Sequence, residues 1–291
     1  MHQPLLLPNR FKAIGLAILV PSFIAWLLWR FDFYDFPFLL TGKGEGILDE
    51  SNYSYVEELL FTGLAMGLLM IAFAREKTED EYIMALRLQS LQWAVLANTV
   101  LLLLANFVFY GEHFLSVMIY NMLTVLIIFV IRFHYVLYTK KSPSKGIFSL
   151  PPKYKKIGLF IVIPCIIAYI LMMAEIYAFP FLKTGVSQDS FLDNVNYSWI
   201  DEILTTGMTI GLVMMAFAQE KSEDEFIVSI RLRSLQAAVL LNYGLLLLLN
   251  WFYFEGDFLN ILTYNMFTVL IIFVLWFNIT LRKTASSLIP E

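Results

Sequence analysis

The stretch Glu76-Lys77-Thr78-Glu79-Asp80-Glu81-Tyr82-Ile83 decides the architecture, because it returns as Glu220-Lys221-Ser222-Glu223-Asp224-Glu225-Phe226-Ile227. Working outward, more of the chain comes back at the same interval of about 144 residues. Asn52-Tyr53-Ser54 returns as Asn196-Tyr197-Ser198, and Tyr120-Asn121-Met122 as Tyr264-Asn265-Met266. The run from Thr124 to Val130 returns from Thr268 to Val274, and Pro21 and Pro37 match Pro164 and Pro180. A period this long is not that of a solenoid. It reads as a tandem duplication of one unit.

The composition says what kind of unit. Of 291 residues, 59% are hydrophobic and only 15% charged, against about 45–50% and about 25% in soluble domains. One soluble core cannot hide that much apolar side chain, so the expectation is an all-α, polytopic membrane protein. A net charge of −4 leaves no basic field for nucleic acid. The single cysteine, Cys165, excludes an intrachain disulfide. The first apolar run ends in Trp-Leu-Leu-Trp-Arg at residues 26–30 without a small-residue cleavage site, so it reads as a retained helix.

Each unit holds four apolar runs, near 13–29, 59–74, 91–110 and 115–131, then 157–174, 203–218, 235–254 and 259–277. These predict eight transmembrane helices. Four is an even number, so both units enter from the same side, as parallel repeats related by a pseudo-twofold axis near the membrane normal. The domains are then 1–138, a basic linker over 139–156, and 157–291. With the N-terminus inside, the outer loops hold only Arg30, Lys43 and Lys183 of the 20 basic residues. The positive-inside rule therefore puts both termini in the cytoplasm. The linker lysines, Lys140, Lys141, Lys145, Lys153, Lys155 and Lys156, suit anionic headgroups.

The duplicated acidic segment is the most site-like motif. Thr78 with Glu81, and Ser222 with Glu225, have capping-box spacing, and acids in a first turn suit the helix dipole. A helix from that cap to Tyr110 would measure about 48 Å, longer than the hydrocarbon thickness of about 30 Å. The third and seventh helices should then project as cytoplasmic stalks. Glu79, Asp80, Glu81 and Arg87, with Glu223, Asp224, Glu225 and Arg231, are their candidate docking or capping residues.

Gly63-x-x-x-Gly67 and Gly207-x-x-x-Gly211 mark the second and sixth helices as closely packed, each with the other as candidate partner. Pro21 and Pro164 should kink the first and fifth. Polar groups inside the spans are few and duplicated: Asn98, Asn106, Asn121 and Thr124, then Asn242, Asn250, Asn265 and Thr268. They read either as interhelical hydrogen-bonding groups or as the lining of a solute path. No acid or base lies near the middle of a span, where ion-coupled carriers usually keep one. Two long outer loops, 30–54 and 175–198, end in Asn-x-Ser; Asp49, Glu50, Glu57 and Glu58 are candidates for an acidic mouth or cation site, but Asp189, Asp193, Asp201 and Glu202 follow a different spacing. The three histidines are not repeated. No nucleophile–base pair, phosphate loop or metal-ligand spacing stands out, so neither an enzyme nor a cofactor is expected.

Residues 73–83, with Arg87, Ser90, Trp93 and Ala94, and the run 120–129, carry a likeness. Each half resembles a set of small uncharacterised bacterial four-helix integral membrane proteins. The resemblance implies a bacterial inner-membrane location, and by analogy that single-unit relatives work as homodimers. It implies no activity and transfers no functional residues. The sequence-based expectation is a non-enzymatic protein that binds or regulates a membrane or cytoplasmic partner through its stalks. The alternative is a transporter or channel for a small solute along the interface between the repeats.

Overall fold

The computed structural model describes residues 5–34, 36, 55–109, 112–139, 149–173, 200–220, 225–253 and 255–287. Nine helices lie among them. The first half contributes α1 (Phe11–Arg30), α2 (Val56–Phe73), α3 (Glu81–Val108), α4 (Glu112–Asn121) and α5 (Thr124–Thr139). The second contributes α6 (Lys153–Met173), α7 (Ile200–Phe217), α8 (Glu225–Leu249) and α9 (Glu255–Ser287). No strand occurs among the described residues beyond two isolated bridges. Seven spans are long and apolar enough to cross a membrane, and the eighth, in α7, is a shorter apolar helix.

Two boundaries differ from the sequence reading. The fourth apolar run is two helices in the first half, parted at Met122-Leu123, but one unbroken helix in the second. The basic linker is shorter than expected, because α6 already begins at Lys153.

The glycines explain how the outer helices attach. A Cβ on Gly15 of α1 would stand 2.8 Å from the Gly67 carbonyl oxygen of α2, and one on Gly158 of α6 would stand 2.5 Å from that of Gly211 in α7. Both distances are below van der Waals contact, so only glycine permits this backbone approach. Gly63 faces Ser22, and Gly207 faces Cys165. The Gly-x-x-x-Gly faces of α2 and α7 thus pack on α1 and α6, not on one another as the spacing suggested. A helix from the same half lies next in sequence and supplies the matching small residue. Gly15 is the only fully buried residue of α1, so that helix sits at the rim.

The inner helices form the core. α3 packs on α5, and α8 on α9. Phe129 and Phe133 stack at 5.8 Å in the first pair, as Phe273 and Phe277 do in the second. The halves meet reciprocally: α3 touches α7 while α8 touches α2, and α3 also touches α8 along the centre.

One end of the bundle is closed twice by the same device. The Leu7 amide donates to the Phe73 carbonyl and the Arg75 amide donates back to the Leu7 carbonyl, both at 2.8 Å; Leu150 does the same with Phe217 and Gln219 at 2.8 and 2.7 Å. A helix end leaves carbonyls without intrahelical partners. Arg87 reaches two of them, Ala72 at 2.9 Å and Ala74 at 3.3 Å, and Arg231 reaches Ala216 and Ala218, each at 3.1 Å. A cation there also complements the negative end of the helix dipole. Each guanidinium lies over a ring, Phe133 at 4.7 Å and Phe277 at 4.9 Å.

Candidate functional site

The predicted stalk charges divide sharply. Arg87 and Arg231 are 0% and 1% exposed. They close the ends of α2 and α7 and are out of reach of a docking partner, so of the two readings, docking or capping, only a capping role is open to them. The first turns of α3, expected to project freely, are packed too: Ile83 and Leu86 are buried. The cap also shifts. Asp80 is the N-cap of α3, its Oδ1 accepting from the Ile83 amide at 2.8 Å, two residues later than the Thr78 capping box predicts. Glu79 serves instead as a local bracket, accepting from the Glu76 amide at 2.8 Å and from Arg87 Nη2 at 2.9 Å. Glu81 and Glu225 are exposed in first turns. Glu223 and Asp224 lie outside the described residues.

The intramembrane polar candidates divide as well. The Thr268 hydroxyl donates to the Tyr264 carbonyl at 3.1 Å within α9, and the Thr124 hydroxyl to the Tyr120 carbonyl at 3.4 Å across the gap between α4 and α5. Asn106 and Asn250 join the halves near one end. Asn106 Nδ2 donates to the Glu202 carbonyl at 3.5 Å and to Thr205 Oγ1 at 3.3 Å; Asn250 Nδ2 donates to the Glu58 carbonyl at 3.2 Å. These are the interhelical bonds that the sequence suggested.

Asn98, Asn121, Asn242 and Asn265 do something else. They converge on one cavity of about 30 Å³ between the halves, together with Thr99 and Tyr243. The rest of the wall is apolar, including Leu102, Val125, Leu262 and Leu270. That is space for about one water-sized group. Asn98 and Asn242 are 9% and 2% exposed, and neither carboxamide oxygen has a hydrogen-bond partner. A buried polar atom left unsatisfied costs about 1–3 kcal/mol, so the two oxygens call for donors at this cavity, which one water-sized group has room to supply.

The cavity adjoins the gap between α4 and α5. In an unbroken helix the Leu126 amide would bond to the Met122 carbonyl. Here Tyr243 Oη donates to that carbonyl at 2.8 Å instead. A side chain from the second half therefore takes up a carbonyl of the first half's backbone ladder. Non-helical backbone at membrane depth is tolerated where it is buried in protein or lines a cavity, and this break meets both conditions.

The buried glutamines and the polar rows they begin escaped the sequence reading, and Glu58 and Glu202 were read there only as acids of an outer mouth. Gln92 and Gln236 are buried, with no hydrogen-bond partner for either amide atom. Gln92, Thr99 and Asn106 are spaced by sevens on one face of α3, as Gln236, Tyr243 and Asn250 are on α8, giving each inner helix a polar row. Glu58 and Glu202 are buried in the first turns of α2 and α7. Both pairs recur at the repeat interval, and that signal was present in the sequence. Among the described residues no three His, Cys, Asp or Glu side chains group as metal ligands. No protein-family model, curated protein or solved structure matches the chain.

Proposed function

We propose that the chain is an integral inner-membrane protein that carries a small solute through a site between two tandem four-helix halves. Both termini lie in the cytoplasm, and a pseudo-twofold runs between α3 and α8. The seven long apolar spans, the reciprocal contacts of the halves and the distribution of lysine and arginine support that placement.

The observation that carries the function is the central cavity, with its paired, unpartnered asparagine oxygens beside a broken helix. Sites in many membrane carriers sit near the midplane at a repeat interface, next to unwound helix. Four carboxamides offer neutral donors and acceptors, which suit an uncharged polar solute or a monovalent cation. The partner-binding reading, which the charge pattern favoured, keeps only Asp80, Glu81 and Glu225 as exposed charges among its described candidates.

Flux into proteoliposomes tests the proposal, with Na+, K+ and urea as probes. Asn98→Leu combined with Asn242→Leu removes two amides whose oxygens lack partners, so stability should hold or rise while flux falls about tenfold or more. Unchanged flux in a preparation where the wild-type protein is active would overturn the proposal. So would a wild-type protein inert to all three probes that crosslinks stoichiometrically to a partner near residues 75–90.

A further inference from the structure

A second cavity, of about 540 Å³, opens between α6, the end of α7 and α9. It lies at the end of the bundle where Arg231 closes α7, and its wall on α9 begins at Val274, about one turn beyond Leu270 of the asparagine site. Its floor is apolar: Leu159, Met215, Leu275 and Ile279. Its rim carries Lys155, Lys156 and Arg282. The volume falls in the range of about 300–1,000 Å³ typical of sites for small organic ligands.

The rim charges are not equivalent. Lys155 is engaged in an ion pair with Glu220, the counterpart of Lys12 with Glu76 in the first half. Among the described residues, neither Lys156 nor Arg282 has an acidic side chain within ion-pair distance, and both are exposed. They exceed what the shared ion pair requires. The first half also lacks them, with Ala13 at the position of Lys156 and Tyr138 at that of Arg282. The ion pair is thus shared by both halves, while Lys156 and Arg282 stand above the groove only in the second, where Gln219 and Asn278 take the places of Arg75 and His134.

We propose that this groove holds one anionic phospholipid, its phosphate between Lys156 and Arg282 and an acyl chain along Leu159, Leu275 and Ile279. The inference rests on the membrane placement above and is independent of the solute site. Charge complementarity selects the ligand: a zwitterionic headgroup brings its own cation to the rim, whereas an anionic one leaves the phosphate to the two side chains. An apolar floor of this size favours a lipid over free phosphate. Facing Leu275 and Arg282 across one heptad, the groove runs about 10 Å along α9, as a chain descending from a headgroup would.

Native mass spectrometry of the full-length protein with equal phosphatidylglycerol and phosphatidylcholine tests this directly. Retained lipid should favour phosphatidylglycerol by about tenfold to thirtyfold, the size expected of two interfacial cations. Lys156→Gln with Arg282→Gln should bring the preference down to about twofold or less, and Lys156→Arg with Arg282→Lys should keep it. Lys140→Gln, Lys141→Gln and Lys145→Gln together should leave it intact. The proposal is overturned by equal retention of both lipids in the wild-type protein, or by a preference that survives the double Gln variant. It is also overturned if the linker variant abolishes the preference, or if inorganic phosphate displaces the lipid at millimolar concentration. Equal retention in the wild-type protein is decisive even where a variant does not fold.

Discussion

Residues 120–130 and 264–274 are almost the same sequence, differing only by Leu123 against Phe267, and they fold differently. The first copy is parted into α4 and α5 at Met122-Leu123; the second runs unbroken through α9. Neither copy contains a proline or glycine, so the usual local causes of a kink are missing. The difference lies opposite them. Tyr243 of α8 faces the first copy and donates its hydroxyl to the Met122 carbonyl. Its counterpart on α3 is Thr99, whose short side chain donates to Val95 of its own helix at 2.8 Å. The two segments are nearly equal in sequence, and one exchange on the inner helix opposite goes with a changed backbone in the first. A helix break can therefore be encoded in a residue more than a hundred positions away.

The largest expected effects test what the halves still share. Arg87→Met and Arg231→Met each leave two helix-end carbonyls without their donor. At about 1–3 kcal/mol per unsatisfied group, each variant should lose about 2–5 kcal/mol in detergent unfolding. Comparable losses would show that the two ends are held alike. A near-neutral Arg231→Met beside a damaging Arg87→Met would break the equivalence at the place where the geometry matches best.

Next come the attachments of the outer helices. Gly15→Ala and Gly158→Ala each force a methyl against a backbone oxygen, and overpacking of that kind costs about 1–3 kcal/mol. Gly244→Ala is the contrast, because a Cβ there meets nothing within 4 Å. It should be neutral or stabilise by up to about 1 kcal/mol, since alanine is the better helix former. If all three variants behave alike, close approach is not what holds α1 and α6.

These contrasts also show what could be read from the sequence. The helices, their lengths and the duplication follow from apolar runs and repeated words, which need no neighbours to interpret. The asparagines were legible as buried polar groups because each stands in an apolar run. Which of them bond across helices and which line a cavity was not legible, since that depends on depth and stagger between helices. For Arg87 and Arg231 docking and capping could not be told apart for a physical reason: an arginine among acids looks like a surface charge until the carbonyls it satisfies, some fifteen residues earlier, are in view. Glu58, Glu202, Gln92 and Gln236 were recoverable by asking which polar residues recur at the repeat interval. The break at Met122 was beyond reach, because the segment that breaks is nearly the one that does not.

The smallest expected effect is the sharpest test of that break. Tyr243→Phe keeps the ring that fills the space and removes only the hydroxyl. If the hydroxyl holds the ladder open, its loss lets the Leu126 amide bond to the Met122 carbonyl four residues earlier. The helix then closes, both backbone groups are satisfied, and the stability change stays below about 1 kcal/mol. Amide exchange at Leu126 and Ile127 should slow as the helix becomes continuous. If the surrounding packing holds the segments apart, the two backbone groups stay unpaired in an apolar setting. The variant then loses about 2–5 kcal/mol, at about 1–3 for each group, and exchange there quickens. The reverse exchange completes the argument: Thr99→Tyr should open α9 near Met266, giving the second half the break that now belongs only to the first.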